Sequence, residues 1–144
     1  MDIKVSLLER AIEIAVNAHK GQLDKADKPY ILHPLRLMMK MITENEMIAA
    51  VLHDVVEDTD WTIEKLANEG FNKEVLFAVS LLTHDKKEPY HKYIDKLKQN
   101  PIAVKVKIAD LEDNLDIKRI AHPTAKDYFR LAHYVKYYNE LKNL

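Results

Sequence analysis

The sequence predicts an all-α fold, a single compact bundle of seven or eight helices over residues 1–144, and three observations predict it. Glycine occurs twice in 144 residues, against an average usage of about 7%. Tight strand-joining turns and Gly-rich phosphate loops both rely on glycine, so neither is expected. Apolar residues recur at three- and four-residue spacing along most of the chain, and Pro, Asn, Thr and Gly stand where helices should start and stop. Hydrophobic residues make up 47%, and folding at this length buries roughly two-thirds of the surface that the unfolded chain exposes. A core can therefore form without disulfide or metal staples.

Taken in order, Val5, Leu8, Ile12, Ala15 and His19 mark a first helix that Gly21 stops. The polar stretch from Gln22 to Lys28, with Asp24, Lys25 and Asp27, reads as a loop. Pro34 suits the first turn of a second helix ending near Ile42, because its missing N–H costs nothing there. A third helix runs from Glu44 to Val56 with Ile48, Val51, Leu52 and Val55 on its apolar face. Thr59 and Asp60 are turn residues, and a short helix from about Thr62 to Glu69 ends at Gly70. Asn72 caps a fifth helix carrying Val75, Leu76, Val79 and Leu82. A loop over residues 83–90 leads to a helix near His91–Lys98. Pro101 starts the next, with Val104, Ile108, Leu111 and Leu115 as its apolar positions. Pro123 breaks it, and a last helix from Ala125 to Leu141 turns Leu131, Val135 and Tyr138 inward.

Composition removes several function classes. Lys plus Arg is 22 and Asp plus Glu is 23, so the basic excess of a nucleic-acid-binding domain is missing and no nucleic-acid partner is expected. No apolar run approaches the ~20 residues that cross a bilayer, and the N-terminus lacks the apolar core of a signal peptide. No membrane association is expected. Cysteine is absent, which excludes disulfides, thiolate metal sites and cysteine nucleophiles. A cytoplasmic location is the natural expectation.

The densest polar cluster interrupts an apolar helix: Val51-Leu52-His53-Asp54-Val55-Val56-Glu57-Asp58. On a continuous helix His53 and Glu57 share one face, and Asp54 and Asp58 share another. Burying four ionisable groups uncompensated is costly, and a divalent cation would remove that cost by taking neutral imidazole nitrogen and carboxylate oxygen as ligands. A helix end with solvated acids accounts for the same residues, and both readings stand. Asp110 and Asn114 form a second four-residue pair, with Asp110 between Ala109 and Leu111. His33 precedes Pro34 at a helix start, where a lone histidine is ordinarily structural.

Three ordered segments tie these residues together. Tyr30-Ile31-Leu32-His33-Pro34, then His53-Asp54-Val55-Val56-Glu57-Asp58-Thr59, then Ile108-Ala109-Asp110-Leu111-Glu112-Asp113-Asn114 resemble, in order and spacing, the HD superfamily of metal-dependent phosphohydrolases. The closest likeness is to the hydrolase domain of RelA/SpoT enzymes and their small stand-alone relatives of the metazoan SpoT homologue type. Ala18-His19-Lys20-Gly21-Gln22 and Leu82-Thr83-His84-Asp85-Lys86 extend it. The resemblance covers roughly residues 8–140.

The resemblance implies an HD-type helical bundle in which His33, His53, Asp54 and Asp110 ligate one ion, usually Mn2+, with other divalent metals possible. It implies that Glu57 and Asp58 orient or deprotonate the attacking water, with Asn114 beside the ion. Lys25, Lys86 and Tyr128 become candidate substrate contacts. The implied activity is (p)ppGpp 3′-pyrophosphohydrolase, acting on guanosine tetraphosphate in the stringent response, with no synthetase domain attached. Such relatives usually carry two or three basic residues after the loop Gln. Here Leu23-Asp24-Lys25 keeps one, and an Asp beside it would repel phosphate. Rival readings are an HD phosphohydrolase of another phosphate ester and a catalytically silent nucleotide-binding module. An HD-type oxygenase needs further histidines, and His84 and His91 do not stand at a spacing that recommends them.

Overall fold

The computed structural model describes residues 4–144; residues 1–3, the start of the expected domain, lie outside them. The eight expected helical segments are all present, and the third is divided in two. The elements are α1 (Leu7–Ala18), α2 (Leu32–Met39), α3 (Glu44–Leu52), α4 (Val55–Asp58), α5 (Ile63–Asn68), α6 (Lys73–Leu82), α7 (Tyr90–Leu97), α8 (Pro101–Asn114) and α9 (Ala125–Lys142), with a 3-10 turn at Ile117–Arg119 before α9. Among the described residues there is no strand, only an isolated bridge between Leu23 and Pro29.

Side-chain caps set most of the helix starts. Ser6 and Glu9 form a capping box ahead of α1, as do Thr43 and Glu46 ahead of α3. Asn72 accepts from the Val75 amide, and Asn100 accepts from the Ala103 amide with Pro101 at the first turn of α8. Gly21 and Gly70 both have positive φ, at 86° and 99°, the backbone region that glycine enters without steric cost.

Helix α3 is the centre of the bundle and packs against α1, α2, α6 and α8. Ile48, Ala49, Ala50, Val51 and Leu52 are all buried, because a helix surrounded by neighbours needs apolar residues on every face. The continuous helix expected over Glu44–Val56 stops at Leu52. Asp54 adopts φ −105° and ψ −1°, and the His53 amide reaches back only to the Ala50 carbonyl, at 3.4 Å. This turn separates His53 and Asp54, which face the core, from Glu57 and Asp58, which reach solvent.

Parts of three expected apolar faces, in α1, α8 and α9, and the expected end of α2 are corrected. Val5 precedes the cap of α1 and is exposed, and Ile42 lies beyond α2 and is exposed. In α9 the buried residues are Tyr137 and Leu141, while Val135 is exposed. In α8 the buried residues are Ala103, Val106, Ala109, Asp110, Leu111 and Asp113; Leu111 is inward as expected, while Val104, Ile108 and Leu115 are only half-buried. Hydrophobic periodicity caught Leu111 but missed the rest of the α8 face, because two of its inward positions are carboxylates.

Candidate metal centre and its cavity

Three separate elements bring four polar side chains together. His33 lies in the first turn of α2, His53 and Asp54 form the turn after α3, and Asp110 comes from the inward stripe of α8. His33, His53 and Asp54 each offer one ligand atom, and these atoms lie within 4.8 Å of one another. Asp110 closes the group, with Oδ1 at 2.8 Å from His33 Nε2 and 3.5 Å from His53 Nε2. His33, His53 and Asp110 are buried and Asp54 is half-buried.

Each of these side chains is oriented from behind by another group. His53 Nδ1 donates to the Ala50 carbonyl at 2.7 Å, so the break in the helix also orients the ring. The Tyr30 hydroxyl donates to Asp54. Lys107 Nζ donates to Asp110 Oδ2 at 2.8 Å, and Asn114 Nδ2 lies 3.4 Å from Asp110 Oδ1. His33 Nδ1 lies 2.6 Å from Asp113 Oδ2.

The cluster fits a divalent cation. With Nδ1 donating to a carbonyl, the remaining nitrogen of neutral His53 is a lone pair. That Nε2 is buried without a hydrogen-bond partner, 2.9 Å from Asp54 Oδ2. An orphaned nitrogen facing carboxylate oxygens is the donor set a divalent ion takes. Against the effect of burial, the facing carboxylates raise the pKa of both His53 and His33, so without an ion the imidazoles hold protons that a divalent cation would displace. Burial pushes the Asp54 carboxyl up, but His53 and the Tyr30 hydroxyl outweigh it and hold the pKa at about 2. Burial likewise opposes ionisation of Asp110, and Lys107 with both imidazoles overrides it, leaving its pKa well below the ordinary carboxylate value. Both acids are therefore anionic at neutral pH, as ligation requires.

Glu57 and Asp58 stand beside the cluster. Glu57 Oε1 accepts from the His84 amide at 2.7 Å. Partial burial raises the Glu57 carboxyl, the His84 amide lowers it, and Asp54 and Asp58 add to the rise. Burial and Asp54 raise Asp58 in the same way.

A cavity of about 350 Å³ opens against this group, with Tyr30, His33 and Asn114 on its wall. Its apolar lining includes Leu23, Ile117, Ile120 and Leu131, and its cations are Lys25, Arg119 and Arg130. Lys25 Nζ donates to the Tyr134 hydroxyl at 3.2 Å. Lys86 and Tyr128, expected as substrate contacts, do not line the cavity; Lys86 is exposed and Tyr128 is 56% exposed at the surface of α9. His84 packs against Tyr90 and Tyr93, and His91 is exposed.

Asp24 has a structural role besides the charge it adds to the loop. Its Oδ1 accepts from the Ala26 and Lys28 amides at 2.8 and 3.0 Å, which shapes the loop, and Oδ2 lies 3.6 Å from Arg119. Sequence reasoning missed Arg119 and Arg130 because they are distant in the chain from the loop with which they line the cavity. It also missed Lys107 and Asp113 as partners, although both sit three residues from Asp110 and so on its side of α8.

All-helical, with histidines and aspartates from three separate segments meeting at the mouth of a cavity, this is a domain suited to hold a divalent metal beside a bound small molecule. Sequence comparison gives the family. The chain is 33% identical to the guanosine-3′,5′-bis(diphosphate) 3′-pyrophosphohydrolase of Aquifex aeolicus over 88% of its length, covering 21% of that protein. It is 32% identical to the bifunctional (p)ppGpp synthase/hydrolase SpoT of Escherichia coli over 90% of its length, covering 22% of it. The chain thus spans about a fifth of the length of these curated relatives. A solved structure of a metazoan ortholog of SpoT that hydrolyses ppGpp superposes with a TM-score of 0.79 at 24% identity, covering 98% of this chain and 88% of that one, which establishes a shared fold. No family model matches the chain. The chain belongs to the HD-type, RelA/SpoT hydrolase-like proteins. Among the described residues no helix is long and apolar enough to cross a membrane.

Proposed function

We propose that this chain is a Mn2+-dependent phosphohydrolase of the cytosol that removes pyrophosphate from the 3′ side of guanosine tetraphosphate. The observation that carries the reading is the continuity of the His–carboxylate cluster with the cavity: His33 belongs to both, and Asn114 on the cavity wall contacts Asp110. An anionic nucleotide seated among Lys25, Arg119 and Arg130 would bring a phosphoryl group to the cluster. The names of the Aquifex and Escherichia relatives support that substrate class.

In this reading His33, His53, Asp54 and Asp110 hold the ion, and a mixed imidazole–carboxylate set accepts manganese among other divalent ions. When bound, such an ion lowers the pKa of a coordinated water and offsets charge on the phosphoryl oxygens. The protein supplies the rest. Glu57, fixed by the His84 amide through Oε1, keeps Oε2 free to accept the proton of the attacking water. Asp58 adds a second acceptor, and its negative charge helps keep the Glu57 pKa raised. Asn114 orients Asp110 through its amide. Leu23, Ile117, Ile120 and Leu131 offer an apolar wall for the base, and the three cations meet its phosphates.

Incubating the purified protein with Mn2+ and a panel of phosphorylated nucleotides tests this. Conversion of guanosine tetraphosphate to GDP and pyrophosphate is the expected result. Hydrolysis confined to other phosphate esters, or nucleotide binding without turnover, would overturn it.

A further inference from the structure

We propose that Asp113 is a positioning residue for His33, turning its Nε2 toward the metal position and raising its strength as a donor, with Arg36 holding Asp113 in place. The inference rests on the reading of His33 as a metal ligand and adds a residue to which that reading assigns no role.

The geometry begins on α8. Asp110 and Asp113 are three residues apart on its inward stripe, and the His33 ring sits between them. Nε2 lies 2.8 Å from Asp110 Oδ1 and Nδ1 lies 2.6 Å from Asp113 Oδ2. A neutral imidazole donates from one nitrogen and offers a lone pair at the other. Asp113 decides which is which. Arg36 grips it with both ends of a fork, Nε to Oδ1 at 2.8 Å and Nη2 to Oδ2 at 2.9 Å. Arg119 Nη2 donates to the Asp113 carbonyl at 2.8 Å and lies 3.4 Å from Oδ2. A carboxylate held by two guanidinium groups is an acceptor only, so His33 Nδ1 must carry the proton. Nε2 faces Asp110 Oδ1, so an ion that displaces the proton shared there finds the Nε2 lone pair pointing into the cluster while Nδ1–H stays on Asp113.

A second feature separates this role from a merely structural ion pair. Arg36 and Asp113 would satisfy each other without His33, because the fork already occupies both oxygens. The short contact to Nδ1 is additional, and it lies on the side of the ring opposite the cluster. A carboxylate behind an imidazole fixes its tautomer and makes its far nitrogen a better ligand, and losing such a partner typically weakens metal affinity 10- to 100-fold. The same network continues through Arg119 to Asp24 on the cavity wall, so the metal ligand and the cavity lining share one chain of charges.

The test uses the full chain and the metal alone. Mn2+ affinity is measured calorimetrically for wild type, Asp113→Asn, Arg36→Lys and Asp95→Asn, the last altering an exposed pair on α7. We expect Asp113→Asn to bind about 10- to 100-fold more weakly, Arg36→Lys to fall between it and wild type, and Asp95→Asn to match wild type. Metal-free melting temperatures serve as the fold control. Wild-type affinity in a folded Asp113→Asn overturns the inference and leaves the metal reading intact; failure of wild type to bind Mn2+ overturns the metal reading itself. Should Asp113→Asn not fold, 15N-histidine spectra of wild type loaded with Zn2+ decide. A His33 with protonated Nδ1 and a metal-shifted Nε2 supports the inference, and metal at Nδ1 overturns it.

Discussion

Lys107 and Asp110 lie one turn apart on α8, and the ammonium of the first meets the carboxylate of the second at 2.8 Å on the side away from the two histidines. The Lys107 side chain is only 12% exposed and also lies over the Tyr90 and Tyr93 rings, 5.6 and 5.2 Å from their centroids. Burial works against its charge, and Asp110 with the two tyrosines overcomes that, so the amine stays protonated. Asp110 therefore has a cation behind it whether or not a metal stands in front.

Replacing Lys107 by Met removes that cation and leaves Asp110 buried without its partner. Breaking a buried pair from one side costs about 3–5 kcal/mol, so metal-free Lys107→Met should unfold at distinctly lower urea. Mn2+ should restore part of the loss, since binding to the native state alone stabilises it. Equal urea midpoints for the two metal-free proteins would show that the pair contributes nothing.

Glu57 and Asp58 are separated from the cluster by the turn at His53–Asp54, and neither is proposed as a ligand. Glu57→Gln and Asp58→Asn should keep the metal content of wild type, read by elemental analysis. Turnover should fall by a factor on the order of a hundred or more, the scale of losing a general base. Loss of metal together with activity would place one of them in the coordination sphere.

The same carboxyl predicts a pH profile. Glu57 works as a base only when ionised, and partial burial, reinforced by Asp54 and Asp58, raises its pKa. Activity should therefore be full at neutral pH and be lost as pH falls through a limb lying above the ordinary carboxylate value of about 4.3. A limb at or below that value in kcat against pH would exclude Glu57 as the base.

Asp24 offers a test of the cavity charges. Asp24→Asn keeps an oxygen for the Ala26 and Lys28 amides while removing the negative charge near Arg119. A carboxylate about 6 Å from a phosphate repels it by roughly 1–3 kcal/mol at an effective dielectric of about 20–40. KM for guanosine tetraphosphate should fall about fivefold or more at low salt, with kcat changed less and the gain shrinking at high salt. Steady-state kinetics at two ionic strengths will show it. Asp24→Arg, by contrast, would remove the acceptor that shapes the loop.

Helix positions were legible because their signals are local. Asn72, Asn100 and Pro101 start helices through atoms within three residues of themselves, and Gly70 ends one through its own backbone freedom. The third helix was read as continuous because nothing in Val51-Leu52-His53-Asp54 breaks a helix by propensity. Its turn comes with the bond from His53 to the Ala50 carbonyl, and the cluster of partners that this orientation serves is assembled from distant segments.

By itself the sequence determined an all-helical domain and the order of its helices, since composition and caps are properties of short stretches, while His33, His53, Asp54 and Asp110 were singled out as candidate ligands by the resemblance of three ordered segments to the HD superfamily. Only the tertiary structure decided what stands behind each of those side chains. Asp113 is 80 residues from His33, and Arg119 reaches the Asp24 loop across most of the chain. Those partners are chosen by how α2 and α8 pack and by where the turn before α9 returns to the first loop. A buried carboxylate inside an otherwise apolar stripe looks like a solvated acid until the helix opposite it is in place.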